Sequence, residues 1–236
     1  EQMEQAIASG GGRWLDPEAP DGPAPGTADL VFIPYVERMN ASLAYFKGFA
    51  LRTEHPLIDR WLTALEQLDT YRGTQSDMHT HAHDLPPQMG GCWADGSQAQ
   101  QRMAHAVDSG AGLDQLERRW VPAEAPVSAQ ERALERVLRH RATLLARSPL
   151  AERFDQPLRA ALSALMLEQP VKPESGSASA LRYLRDRISV PRDMPLESAR
   201  SLRQALESTA ALDGDQQPEP LPFEHRFDQD PRPFLS

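Results

Sequence analysis

A single cysteine, Cys92, is present in 236 residues. That excludes an intrachain disulfide framework and a cysteine-rich zinc module, and it suits a reducing compartment. Long apolar runs are also missing. The longest, LVFIPYV at Leu30–Val36, falls far short of the roughly 20 residues that span a bilayer, so the chain is not expected to cross a membrane by itself. Basic charge is scarce: 25 Lys and Arg stand against 34 Asp and Glu, for a net charge of -9 and an isoelectric point near 5.3. Phosphate binding needs a concentrated basic surface, so nucleic acid is excluded as the main partner. The start, EQMEQ, carries neither an initiator Met nor a signal pattern and reads as that of a processed or partly represented chain. Aromatic residues make up 6% and the mean hydropathy is -0.55, which leans polar.

What is present is helix pattern punctuated by proline, 21 residues of it. EQMEQAIASGGG reads as the end of a helix, with Met3 and Ile7 four apart and glycines as the stop. RWLDPEAPDGPAPG propagates neither helix nor strand and reads as a surface loop anchored by Trp14 and Leu15. From Thr27 to Phe49, Leu30, Ile33, Val36, Met39, Leu43 and Phe46 recur at three- and four-residue steps, the mark of a helix with one buried face. Asp29 lies in its first turn, beside unpaired amides and the positive dipole end, and Pro34 predicts a kink near residues 30–34. A second helix opens at Pro56 and runs through Ile58, Trp61, Leu62, Leu65 and Leu68, packing on the first as an antiparallel pair. Residues 70–97 break the periodicity. QAQQRMAHAVDS and GAGLDQLERRW read as short helices, followed by the linker VPAEAP.

In the second half, Ser128 and Glu131 form a capping box ahead of the stripe Leu134, Val137, Leu138, Leu144 and Leu145, which ends near Arg147. Leu158, Leu162, Leu165 and Met166 mark another helix. After the linker KPESGSAS, Leu181, Leu184 and Ile188 mark a third, and Pro195 opens a last one through Leu206 to Gly214. The expectation is an all-α protein of roughly eight helices with no strand alternation. Its organisation is read as a helical domain over 1–109, an additional helical region over 110–214 and an extended proline-rich tail over 215–236. In the tail, Phe223, Phe227, Phe234 and Leu235 are spaced apolar anchors and are the partner-contact candidates.

The sharpest chemical signal is His79, His81 and His83. In an extended segment their alternate spacing puts all three on one side, where Asp77, Asp84 or Cys92 could complete a tetrahedral zinc site. Hydrogen bonding within a His/Asp/Pro loop is the reading adopted, with no metal assigned. A zinc site and a protein or ligand contact stand beside it. Tyr45, Tyr71 and Trp61 are read as core rather than as the lining of a substrate cleft. Cys92 is read as an inert or partly buried thiol, because nothing basic adjoins it to stabilise a thiolate. Arg182, Arg185, Arg187 and Arg192 stand near Asp186 and Asp193, and intrachain salt bridging is preferred over docking to an acidic partner. No catalytic residue is assigned and no cofactor contact is identified.

Gly26-Thr27-Ala28-Asp29, then Tyr45-Phe46-Lys47-Gly48, then Pro56-Leu57-Ile58-Asp59-Arg60-Trp61 with Ala64-Leu65-Glu66 resemble, in order and kind, the carboxy-terminal helical domain of glutathione S-transferases. Gly26 departs from the family's hydroxyl cap. Thr70–Gly91 and Leu184–Leu206 are similar to a branch of glutathione-transferase-like proteins from photosynthetic organisms that carries an extra carboxy-terminal helical region. In the family, glutathione is held mainly by a thioredoxin-like domain ahead of the helices. Here some 26 residues precede them, and Val190-Pro191, which copies the dipeptide of that domain's cis-proline turn, sits between helical segments.

Because no complete chemical site is visible and the long irregular segments need partners to be ordered, the chain is expected to be a non-catalytic interaction or scaffold subunit, held in a larger protein assembly by its loop at 10–25 and its proline-rich tail. The resemblance implies a photosynthetic organelle, the chloroplast, where peripheral association with a membrane complex is open to it. No cofactor is expected in this chain, glutathione entering only with an upstream domain. The alternative is the helical half of a glutathione-dependent transferase or reductase.

Overall fold

The structure is a computed structural model that describes residues 1–16, 22, 24–89, 91–111 and 127–218. Among these residues it is all-α: eleven α-helices and a 3-10 turn, with no strand. No helix among them is long and apolar enough to cross a membrane. Two compact units divide the described chain, one from residues 1–82 and 93–107, the other from residues 83–92, 108–111 and 127–218.

The first unit opens with α1 (Gln2–Ser9) and α2 (Thr27–Lys47), continues through α3 (Leu51–Glu54), α4 (Pro56–Leu65) and α5 (Asp69–Arg72), and takes in the start of α6 (Met78–Met89) and most of α7 (Gln98–Ser109). Its core joins Ile7, Trp14, Ile33, Val36, Ile58, Trp61 and Leu65. The antiparallel pair expected of the first two long helices is not formed along their lengths: α4 packs mainly on α1 and α3 and meets α2 through this shared core, in which each side chain contributes about 1.5–3 kcal/mol by leaving water. A second cluster packs Ala41 and Ala44 of α2 with Met78, Ala82 and Val107.

The start of α2 explains the missing hydroxyl cap. A Cβ on Gly26 would lie 2.3 Å from Asp16 Oδ2, so only glycine fits, and the capping is inverted. The carboxylate of Asp29 accepts from the Gly26 N–H at 2.8 Å, from the Leu15 N–H at 2.7 Å and from Trp61 Nε1–H at 2.6 Å. One buried anion therefore fixes the helix start, the preceding loop and α4 together. The other end of α2 stops at Gly48, in the left-handed region at φ 66. A Cβ there would meet the Gln100 backbone nitrogen at 2.4 Å. Pro34 stands inside the helix and withholds the N–H that the Leu30 carbonyl would otherwise accept.

In the second unit, α8 (Ala129–Arg147), the 3-10 turn Ala151–Phe154, α9 (Asp155–Leu167), α10 (Ala178–Arg185) and α11 (Leu196–Ala211) surround Val137, Phe154, Leu158, Leu165, Leu181, Leu202 and Leu206. The capping box forms as expected: Ser128 Oγ accepts from the Glu131 N–H at 3.1 Å and Glu131 returns the bond to the Ser128 N–H at 3.0 Å. At the start of α10, Asp213 accepts from the backbone N–H groups of Gly176, Ser177 and Ala178 at 3.0, 2.7 and 2.9 Å. Burial works to raise its carboxyl; the three amides outweigh that and hold it below the ordinary carboxylate range.

Some expected core residues lie outside the core. Leu30 and Met39 of α2, Leu138 of α8 and Met166 of α9 are all exposed, because each sits on the far arc of a helix whose apolar residues spread beyond one stripe.

Candidate functional site

Residues 78–89, expected as extended loop, form α6. Asp77 caps it: its Oδ1 accepts from the Thr80 N–H at 3.2 Å and from Thr80 Oγ1–H at 2.5 Å. Helical geometry redistributes the histidines. His79 and His83, four apart, share a face, while His81 points away. Its Nε2 is 3.7 Å from Glu37 Oε2. The one-sided row of three histidines is therefore corrected. Asp77 is engaged by Thr80, and Cys92 is exposed rather than partly buried.

In the second unit His83 enters a buried charge network. Its Nε2 lies 2.8 Å from Asp108 Oδ1 and 3.7 Å from Asp186 Oδ1. Asp186 accepts from Arg185 Nε at 2.6 Å, and Arg185 also pairs with Glu207. Glu207 meets Arg182 through Nε at 3.0 Å and Nη2 at 2.8 Å, the two-pronged geometry of a strong guanidinium–carboxylate pair. Both guanidinium side chains are only 4% exposed.

Burial alone would lower the pKa of His83, yet the negative charge of Asp186 and the bond to Asp108 raise it. Burial would raise Asp108, and His83 and Arg185 hold it below its usual range. Arg185 is opposed by burial but pushed up by Asp186, Asp108 and Glu207. With His83 protonated, three cations (His83, Arg182 and Arg185) face three anions (Asp108, Asp186 and Glu207).

His83, Asp108 and Asp186 bring ligand atoms within 4.8 Å of one another, a donor set of one imidazole and two carboxylates that could hold a divalent cation. The same carboxylates already face His83 and Arg185, so their charge is balanced by the chain itself. His83 is thus paired with Asp108 and Asp186, neither of which the reading of the histidine segment named as its partner. The arginine cluster pairs within the chain as expected. Its main acceptor is Glu207, and Arg187 lies over the Tyr183 ring at 3.1 Å.

Trp61 is fully buried and bonded to Asp29. Tyr45 packs against the alanine cluster of α2. Tyr71 Oη–H donates to Glu37 Oε1 at 2.5 Å, and burial together with Glu37 pushes its phenol well up. The tail candidates Phe223, Phe227, Phe234 and Leu235 lie outside the described residues.

A surface not anticipated is the outer arc of α2. Leu30 is 60% exposed, Val31 54%, Phe32 51%, Tyr35 68% and Met39 40%. At about 100° per residue Val31, Phe32, Tyr35 and Met39 fall within one arc of about 100°, flanked by Val36 of the core, while Leu30 stands apart from them, between Val31 and Ile33. Single exposed apolar residues need no explanation, but a contiguous group of this kind marks an interaction surface. The signal was available: a run as apolar as LVFIPYV wraps around a helix, so part of it must face outward.

Fold and surface together define a class, an all-α protein of two helical units with an apolar helix face turned to solvent. No family model, curated protein or solved structure matches the chain.

Proposed function

We propose that the chain is a non-catalytic interaction subunit that docks onto another protein of a larger assembly through the outer face of α2. The observation that carries this reading is the exposed arc of Val31, Phe32, Tyr35 and Met39. Covering such side chains releases about 25 cal/mol per Å² of apolar surface, and large apolar and aromatic side chains are the usual anchors of interfaces. The buried network of His83, Asp108, Asp186 and Arg185 fits the same reading, since its groups neutralise one another. A photosynthetic setting, a chloroplast location and association with a membrane complex rest on the sequence resemblance alone.

Hydroxyl-radical footprinting of Tyr35 and Met39 tests the proposal. Both oxidise readily in the purified chain and are protected in the native assembly, and Phe32→Glu with Tyr35→Glu keeps the helical fold but leaves the assembly. Equal oxidation in both states overturns it. Protection within the isolated full-length polypeptide, together with glutathione binding by it, favours instead the helical half of a glutathione-dependent transferase, with the α2 face covered by a domain of the same polypeptide.

A further inference from the structure

The second unit holds a cleft of about 760 Å³ between α8, α10 and the turn that leads into α11. That is the size of a small-molecule site. Its floor is apolar, with Val137, Phe154, Ile188, Met194 and Leu202 all buried and facing it. Its walls are of another kind. Arg136, His140, Thr143 and Arg147 of α8 recur at three- and four-residue spacing and so line it from one helix face. Arg187 and Arg192 line it from the other side.

Among the described residues, four arginines and a histidine thus stand over an apolar floor against a single carboxylate, Asp193. In a chain whose net charge is -9, that local excess of positive charge is not background. Some of it is already used in shaping the wall: Arg136 Nε–H donates to the Asp193 carbonyl at 2.7 Å, Arg187 Nη1–H to the Tyr183 carbonyl at 2.8 Å, and Arg192 pairs with Asp193. These bonds fix the groups in place before a ligand arrives.

We propose that this cleft binds an amphiphile with an anionic head, a carboxylate or phosphate carried on an apolar body of about a dozen carbons. The body lies on the Phe154–Ile188–Leu202 floor, where it gains apolar burial, and the head meets the guanidinium groups, which suit oxyanions through paired donors. A neutral ligand of the same shape gains the first term only. The site is independent of the α2 face: it lies in the other unit and shares no residue with it.

Calorimetric titration with dodecanoate and, separately, dodecyl phosphate tests the proposal, with dodecanol below its solubility limit as the neutral control. The expected result is one-to-one binding of at least one anion, with the control about tenfold weaker or more. Which anion binds tighter distinguishes carboxylate from phosphate heads. Thr143→Trp, at an exposed position that lines the cleft, fills the space and abolishes binding. Arg147→Gln weakens it about tenfold. Phe32→Glu with Tyr35→Glu leaves it unchanged, which separates the cleft from the apolar face of α2. Circular dichroism and thermal melts confirm that each variant is folded. Absence of binding by both anions, equal affinity for anion and dodecanol, or binding unaffected by Thr143→Trp each overturns the proposal.

Discussion

Trp61 Nε1–H donates a 2.6 Å hydrogen bond to Asp29 Oδ1, and both side chains are wholly removed from solvent. The pair joins the first turn of α2 to the middle of α4. Because the same carboxylate also takes the Leu15 and Gly26 amides, it holds the loop that precedes α2 as well. The first unit is organised on this one charge.

Asp29→Ala leaves two buried donors, Leu15 N–H and Trp61 Nε1–H, and the half-buried Gly26 N–H without an acceptor. At about 1–3 kcal/mol for each unsatisfied group, partly relieved by relaxation, the expected loss is about 4 kcal/mol. Asp29→Asn retains an acceptor oxygen for part of the set and loses less. Urea unfolding followed by tryptophan fluorescence measures both. Equal and small losses for the two variants would mean that the node is not the organiser of this unit.

Stability of the second unit depends on pH through His83 and Asp108. The pKa of His83 is raised above its ordinary 6.5 by Asp186 and Asp108. Its contribution is therefore full below pH 6.5 and is lost as pH rises through the higher folded value. Asp108 is lowered from 3.8, so its contribution is present above pH 3.8 and lost as pH falls through the lower folded value. Melting temperatures measured from pH 5 to 9 should decline on the alkaline side in the wild-type chain. His83→Gln removes that alkaline limb, and a limb that survives the substitution assigns it to another group.

Glu207→Gln withdraws the shared partner of Arg182 and Arg185, whose side chains are almost fully buried. Breaking a buried pair from one side costs about 3 kcal/mol, because the remaining charges stay uncompensated. Replacing Arg182 with Met in the same background recovers part of the loss. A double-mutant cycle on denaturant midpoints reads the coupling directly, and simple additivity would show that the two side chains do not act as a pair.

How much of this was legible in the sequence depends on whether the signal was local. The capping box at Ser128 and Glu131, the proline at the start of α4 and the stripe from Ile58 to Leu65 each lie within one or two turns, and each forms as read. The segment MHTHAHDLPPQM gave no helical period, since its face carries histidines rather than leucines and ends in two prolines. Its helix was announced only by Asp77 three residues before Thr80, a capping pattern easily lost beside the histidines. Of the network around His83 only the local pairing of Arg185 with Asp186 could be read, because Asp108 and Glu207 reach it from distant segments and no spacing rule links them to His83. On α2 the error was one of excess: Leu30 and Met39 were assigned to the buried face with Ile33 and Val36, and the exposure of Val31, Phe32 and Tyr35 went unread.

Asp213 gives the second unit a clasp. Its carboxylate closes over the three amides that open α10, about 36 residues upstream. Just beyond it, the carbonyls of Gly214 and Gln216 receive Arg182 Nη1–H at 2.8 and 2.9 Å. A short strand of backbone past α11 thus fastens both the entrance of α10 and an arginine of the charge network. Cutting the chain just ahead of Asp213 removes no core side chain of α11, yet it unfastens α10 at its first turn and strips two acceptors from Arg182. The wall that α10 gives the cleft is therefore held in part by these three residues, Asp213, Gly214 and Gln216.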